Sequence, residues 1–388
     1  MSLKDVLAAP GIKSVLFTLF MTSFGFGVIL PILPFYALSM GAKPFDLGIL
    51  TAVFAFMSLV FSPLMGKLGD RYGRKKVLLV SAAGFAASYL LFAFSDTLAM
   101  AFVARALQGV CAAGMFPTCI SLLSDLTTEQ QRGRVMGMVG MAFSLGFIIG
   151  PAFGGLASSL SVPTAFLLSA ALAAANAVSV FFFIREPHEK PESRDIMGKE
   201  LSLLEHLSSP IAFLFLASSI ITFMIGGLDA VLALFTAEKM RFSSAHVGLV
   251  FTYIGLLIMT MQYLSGSLIN KHGEFRLIQL GLVLSGAGFF LLSFASDWIS
   301  LLLPLAVFVS GNAMVFPSVI SLLTKKVTGR RGAVLGLNSS FQSLGQMVGP
   351  LFGGFLYGIN HTYAFIGFAL AIWAYFLVFS FIARKKLA

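Results

Sequence analysis

Two ionisable residues stand where a hydrocarbon environment disfavours them. Asp229 is the one acid well inside a long apolar run, and Arg105 is the one base in such a position. A charge at the centre of a bilayer costs at least about 2.5–3.5 kcal/mol on insertion scales, so such groups face cavities or partners rather than lipid. Burial favours the protonated acid, whereas a nearby guanidinium favours the carboxylate. An acid held between those influences can take up a proton in one state and release it in another, with Arg105 tuning the exchange. A static ion pair, or an Arg satisfied by backbone carbonyls, is the competing reading. Each residue lies about seven positions from the same end of its span, roughly 10 Å below one surface, a depth that suits one shared cavity.

A second group of residues could line that cavity. Asn338, Gln342 and Gln346 follow one another at i, i+4 and i+8, a polar stripe on one helix face. Amides avoid lipid, so the stripe turns toward the bundle interior, unless it serves only hydrogen bonds between helices. A shift of 199 residues sets Val139, Phe143 and Phe147 opposite these amides. One aromatic wall and one amide wall would suit a flat, lipophilic, weakly polar solute. Cys111 and Cys119 share one apolar segment and read as small buried hydrophobes. No Cys/His cluster has metal-ligand spacing, and no metal or cofactor is expected.

The elements that must hold these groups are membrane helices. With 58% hydrophobic and 11% charged residues among 388, the chain is not a soluble globule. Apolar segments long enough to span a bilayer fall at about 14–39, 45–66, 76–95, 99–122, 134–158 and 163–184, then 210–236, 246–268, 276–295, 299–323, 333–357 and 362–383. Between the sixth and seventh, residues 185–208 read as a solvated cytoplasmic linker with room for a short surface helix. The halves repeat one another. Residues 66–73 (GKLGDRYG) return as 266–273 (GSLINKHG), Phe116-Pro117 as Phe316-Pro317, and Gly150-Pro151 as Gly349-Pro350. The sequence therefore predicts an all-α membrane protein of twelve transmembrane helices in two pseudo-symmetric six-helix bundles, 1–184 and 209–388.

Charge sets the orientation. The net charge of +10 is carried by segments between spans, which argues for membrane topology and against nucleic acid. With the N-terminus inside, 22 of the 26 Lys and Arg lie on the inner side, which places both termini in the cytoplasm. The richest inner segment is 66–76 (GKLGDRYGRKK), where the glycines suggest a tight turn and Asp70 sits among Arg71, Arg74, Lys75 and Lys76. Asp70 could pair with those cations or cap a neighbouring helix N-terminus. Gly146, Gly150 and Gly154 beside Pro151, and Gly345, Gly349 and Gly353 beside Pro350, form matched small-residue rows where helices can approach closely.

The 66–76 segment resembles the loop between the second and third spans of the major facilitator superfamily, matching at Gly66, Asp70, Arg71, Gly73, Arg74 and Lys75. Asn270 and Lys271 look like a decayed copy. Arg105 with Gln108 and Gly109 is similar to that superfamily's fourth-span motif, and Gly146, Gly150, Pro151 and Gly154 to its antiporter motif. The resemblance covers essentially the whole chain and extends to the twelve-span drug:proton antiporters of the bacterial multidrug efflux type. It implies that Asp229 binds protons. It also implies that Asp70, Arg74 and Asp125 form a gating charge cluster, and that Phe26 and Phe54 line the pocket. Gln108, Phe116 and Asn312 are placed in the cavity with them. Some such pumps carry a second acid on the tenth span, and here that region reads Asn312-Ala313.

The function expected is proton-driven efflux of lipophilic drugs, cationic ones included, across the bacterial inner membrane by alternating access. The partners expected are the solute, protons and the bilayer, with the chain acting as a monomer and the proton gradient as its only energy source. Export of a native metabolite, sugar, metallophore or lipid precursor would use the same fold and coupling. A polytopic membrane enzyme would need a reacting constellation, and none stands at credible spacing.

Overall fold

The computed structural model describes residues 11–127, 129–184, 186, 211–326 and 331–383. Apart from Glu186, the expected 185–208 linker and its surface helix lie outside these residues. Among the described residues the structure is all helix, with no strand. Lipid offers the backbone no hydrogen bonds, so each crossing segment must satisfy its own peptide groups.

Twelve long helices follow in order: α1 Ile12–Ser39, α2 Pro44–Tyr72, α3 Arg74–Ala93, α4 Leu98–Asp125, α5 Glu129–Leu160 and α6 Val162–Phe183, then α7 Ala212–Met240, α8 Ser244–His272, α9 Glu274–Leu292, α10 Trp298–Lys326, α11 Arg331–Ile359 and α12 His361–Val378, with a π-helical turn at Phe379–Ala383. Eleven are long and apolar enough to cross a membrane; the exception, α11, carries the amide stripe.

The helices stop where local chemistry stops them. Thr97, Ser161 and Asn360 cap α4, α6 and α12 by accepting backbone amides of Met100, Thr164 and Thr362. Asp297 accepts the Ser300 amide at 2.9 Å ahead of α10, and that bond together with the Ser300 hydroxyl holds its carboxyl below the usual carboxylate range. The expected turn at 66–76 is much shorter than its sequence suggests. Gly66 and Gly69 lie inside α2, which runs helical to Tyr72, and the chain reverses at Gly73 alone, with φ 101°. Gly273 does the same between α8 and α9 with φ 78°. Only glycine adopts such angles without strain.

The chain forms two compact units. One holds the described residues within Met1–Ala42, Val53–Arg194 and Phe242–Thr252, the other those within Lys43–Ala52, Asp195–Arg241 and Tyr253–Ala388. Each repeats one packing scheme. In the first unit α1 packs on α5, and α3 on α4 and α6; in the second α7 packs on α11, and α9 on α10 and α12.

The glycine rows explain the tightest of these contacts. A methyl group added to Gly146 would lie 2.5 Å from the Phe20 carbonyl oxygen of α1, and one on Gly150 would run into the Phe24 carbonyl. Gly345 and Gly349 meet the Ser219 and Phe223 carbonyls of α7 in the same way. α5 also seats the first turns of α8: Gly155 faces Ser244 and Gly248, and Ser158 donates to the Ser244 hydroxyl at 2.7 Å. In the second unit Gly354 seats Pro44 and Gly48 of α2.

Gly150→Val should therefore lower stability by about 2 kcal/mol or more, because backbone meets backbone and no rotamer can relieve the clash. Gly140→Val, whose added carbon meets nothing within 4 Å, should cost far less. Thermal melts of the two purified variants, compared with the native chain, check the contrast.

Candidate functional site

In the first unit the Arg105–Gln108–Gly109 sequence on α4 builds a compact polar and aromatic cluster. Gly109 lets α2 come close: a methyl group there would sit 2.5 Å from the Phe54 carbonyl oxygen and 2.7 Å from Met57 Cβ. That approach brings the Phe54 ring against Arg105, whose guanidinium carbon lies 4.6 Å from the ring centroid. Arg105 is 1% exposed and its Nη1 donates to Gln108 Oε1 at 3.1 Å. Phe26 meets Phe54 at 5.6 Å between centroids and stacks on Phe147 at 6.3 Å, so α1, α2 and α5 supply one aromatic wall. All three rings are half-buried. Phe116 and Phe143 form a separate edge-to-face pair at 5.9 Å, both exposed.

In the second unit Asp229 lies mid-way along α7 and is 8% exposed. Gly226 and Gly227 precede it. Gly226 lets Pro350 and the Gln346 carbonyl of α11 approach, and Gly227 lies under the Phe368 ring of α12. Asp229 thus sits on a length of α7 held by two neighbouring helices. Asn338 is 1% exposed, and its Oδ1 has no hydrogen-bond partner; Asn312 Nδ2 is likewise buried and unpartnered. Gln342 and Gln346 are half-buried, and the Gln342 carbonyl accepts the Thr222 hydroxyl of α7 at 2.6 Å. Arg105 and Asp229 belong to different units.

The basic end of the first unit departs from the expected charge pattern in one respect. Arg74 and Asp125 form an ion pair. Asp70 is exposed and has no ion pair among the described residues; it acts on Arg74 through space. The cap on the α3 N-terminus comes instead from Glu186, whose carboxylate accepts the Arg74 amide at 2.6 Å and the Lys75 amide at 2.9 Å. Asp70 stands on the last turns of α2, while Glu186 arrives from beyond α6 with its two oxygens on the orphan amides. Lys75 Nζ donates to the Phe181 carbonyl at 2.7 Å, which ties the same turn to α6.

The second unit contains a pair that the motif comparison passes over. Glu274 and Lys325 form an ion pair, and the Ser321 hydroxyl donates to Glu274 Oε1 at 2.8 Å. These positions lie 200 residues after Arg74 and Asp125. Each unit therefore joins the residue after its helix-reversing glycine, Gly73 or Gly273, to the last turn of its fourth helix, with opposite polarity. The 200-residue repeat was the signal that could have found the pair.

The comparisons with known proteins agree with this architecture. The model of the Major Facilitator Superfamily matches residues 15–328 and 214–387. Multidrug resistance protein 1 of Bacillus subtilis is 30% identical over 364 residues, covering 91% of this chain and 93% of its own. The tetracycline resistance protein, class B, of Escherichia coli is 32% identical over 355 residues, covering 87% and 86%. Among solved structures, the human organic anion transporter MFSD10 superposes with a TM-score of 0.71 at 23% identity over 97% of this chain and all of that one, and the nucleoside transporter NupG with 0.80 at 15% over 97% and 98%. The solved structures carry the fold, and the family match with the resistance-protein relatives carries the class. The chain belongs to the Major Facilitator Superfamily, and it is a membrane transporter rather than an enzyme.

Proposed function

We propose that this transporter is a proton-coupled antiporter that exports lipophilic drugs by alternating access. The observation that carries the reading is Asp229, an acid 8% exposed in the middle of a membrane helix. An ionisable group at that depth is costly, and reversible protonation is a use that repays an acid buried in a membrane transporter. Its relatives support drugs as the solutes, because several are resistance proteins. The partly exposed Phe26, Phe54 and Phe147 rings offer a flat apolar face to such compounds.

Arg105 tunes the proton affinity, and the two ion pairs at the helix-reversing glycines hold one access state closed. Protons entering supply the energy, with no cofactor. The bulk of Lys and Arg between spans on one side supports cytoplasmic termini, and the chain works as a monomer in a bacterial inner membrane.

Purified protein in liposomes, given an inside-acid pH gradient and a panel of lipophilic dyes, should accumulate solute in exchange for protons. The accumulation should collapse when the gradient is dissipated. Equilibration of solute to equal concentrations, unaffected by the gradient, would refute coupling.

A further inference from the structure

Several buried polar atoms of the first unit make no hydrogen bond, and one of them is an amide nitrogen next to the aromatic wall. Gln108 is 1% exposed and its Nε2 makes no hydrogen bond. The amide cannot rotate to cure this. Arg105 is purely a donor, so the bond from its Nη1 fixes Gln108 Oε1 toward the guanidinium and leaves the NH2 pointing away. A buried amide without a partner is costly, and such groups in native proteins call for an explanation. Here the explanation lies beside it. The guanidinium to which Gln108 is bonded lies against Phe54, and Phe54 meets Phe26, which stacks on Phe147. A planar solute that displaced Phe54 from the guanidinium would meet a ring face, a fixed cation and an unused N–H together.

We propose that Gln108 Nε2 is the donor that selects the solute, and that the preferred solutes are planar and lipophilic with an acceptor oxygen (carbonyl, enolate or phenolate) at their edge. Planar cations without such an oxygen bind by stacking alone and must do so near the fixed positive charge of Arg105. This deepens the export reading above and rests on it for the site's being a solute site. Arg105 then has two tasks: to present the amide in one orientation and to favour partial negative charge on the solute oxygen.

The test uses two three-ring fluorescent probes of nearly the same shape, acridone with its ring carbonyl and 9-aminoacridine, a cation without oxygen. Affinities are measured on purified full-length protein in detergent with no gradient, so that a failure of proton coupling cannot affect the result. The native protein should bind both. Gln108→Leu should weaken acridone relative to 9-aminoacridine by about tenfold, the loss of one hydrogen bond to a buried partner. Gln108→Glu, which keeps the side-chain volume but turns an acceptor-only carboxylate toward Arg105, should shift the ratio in the same direction. It also serves if the Leu variant fails to give a monodisperse, cooperatively melting protein.

An unchanged ratio in both variants would mean that water or another group satisfies the amide, and would overturn the proposal. So would a shift with Leu but not Glu, which would report shape alone, or a native protein that does not bind acridone. Coupling is judged apart from this, by gradient-driven uptake in liposomes.

Discussion

Asp229→Asn is expected to reduce gradient-driven accumulation of solute by about a hundredfold or more while changing solute affinity by less than about threefold. The substitution keeps the size and most of the hydrogen-bonding capacity of the side chain, and it leaves the Gly226 and Gly227 contacts with α11 and α12 untouched. What it removes is the ability to bind and release a proton, the property on which the proposed coupling depends. Solute exchange down its own gradient should therefore survive where uphill transport is lost. The measurement is uphill against downhill flux in the same liposomes, with affinity read separately in detergent. Uphill transport retained at more than a tenth of the native rate would show that the proton is carried elsewhere. Equal loss of both fluxes would show that Asp229 holds the structure or the solute rather than the coupling.

Reversing the ion pairs should act differently in the two units. Glu274→Arg or Lys325→Asp alone sets like charges together, and at about 4 Å such a contact costs roughly 4 kcal/mol at an effective dielectric near 20, less where solvent screens it. Either single variant is expected to lower transport at least tenfold. The double exchange, Glu274→Arg with Lys325→Asp, copies the polarity that the first unit already uses and should return transport to within about threefold of native. In the first unit the analogous double exchange, Arg74→Glu with Asp125→Lys, should recover much less. Asp70 and Glu186 both favour a cation at position 74, and they would face a carboxylate there instead. Initial transport rates of the four variants decide the matter. Full recovery in both units, or in neither, would mean that the surrounding charges do not control the polarity of the pair.

Much of this could be read along the chain before any coordinates. Eleven of the twelve helices follow from apolar length, and the two-fold repeat from the recurrence of Gly66 to Gly73 at 266–273 and of Gly150-Pro151 at Gly349-Pro350. Arg105 and Asp229, each buried within its own unit, stood out because lipid tolerates so few ionisable residues.

Four things were not legible, each for a physical reason. The length of α2 was hidden because Lys67, Asp70 and Arg71 look like loop residues, although long charged side chains are compatible with a helix that projects past the hydrocarbon. Only the φ of Gly73 decides where the helix ends. The role of Glu186 was hidden by distance: it lies 112 residues from the amide it caps, in a segment whose acids all read as solvated. The Glu274–Lys325 pair was missed because a motif search asks for the same residue types, whereas electrostatics asks only for opposite signs. The orphan Nε2 of Gln108 could not be foreseen at all, since an unsatisfied bond is a property of three-dimensional packing.

The two ion pairs differ in how wet they are. The side chains of Arg74 and Asp125 are 11% and 31% exposed, whereas Lys325 is 64% exposed against 13% for Glu274. Dissolved ions screen exposed charges far more than sheltered ones, over a Debye length of about 8 Å at physiological ionic strength and about 3 Å at 1 M. Rising salinity therefore loosens the lysine's clasp first and the arginine's later. If the two pairs gate access as proposed, a rise in the ionic strength that bathes them would weaken the second unit's clasp before the first's.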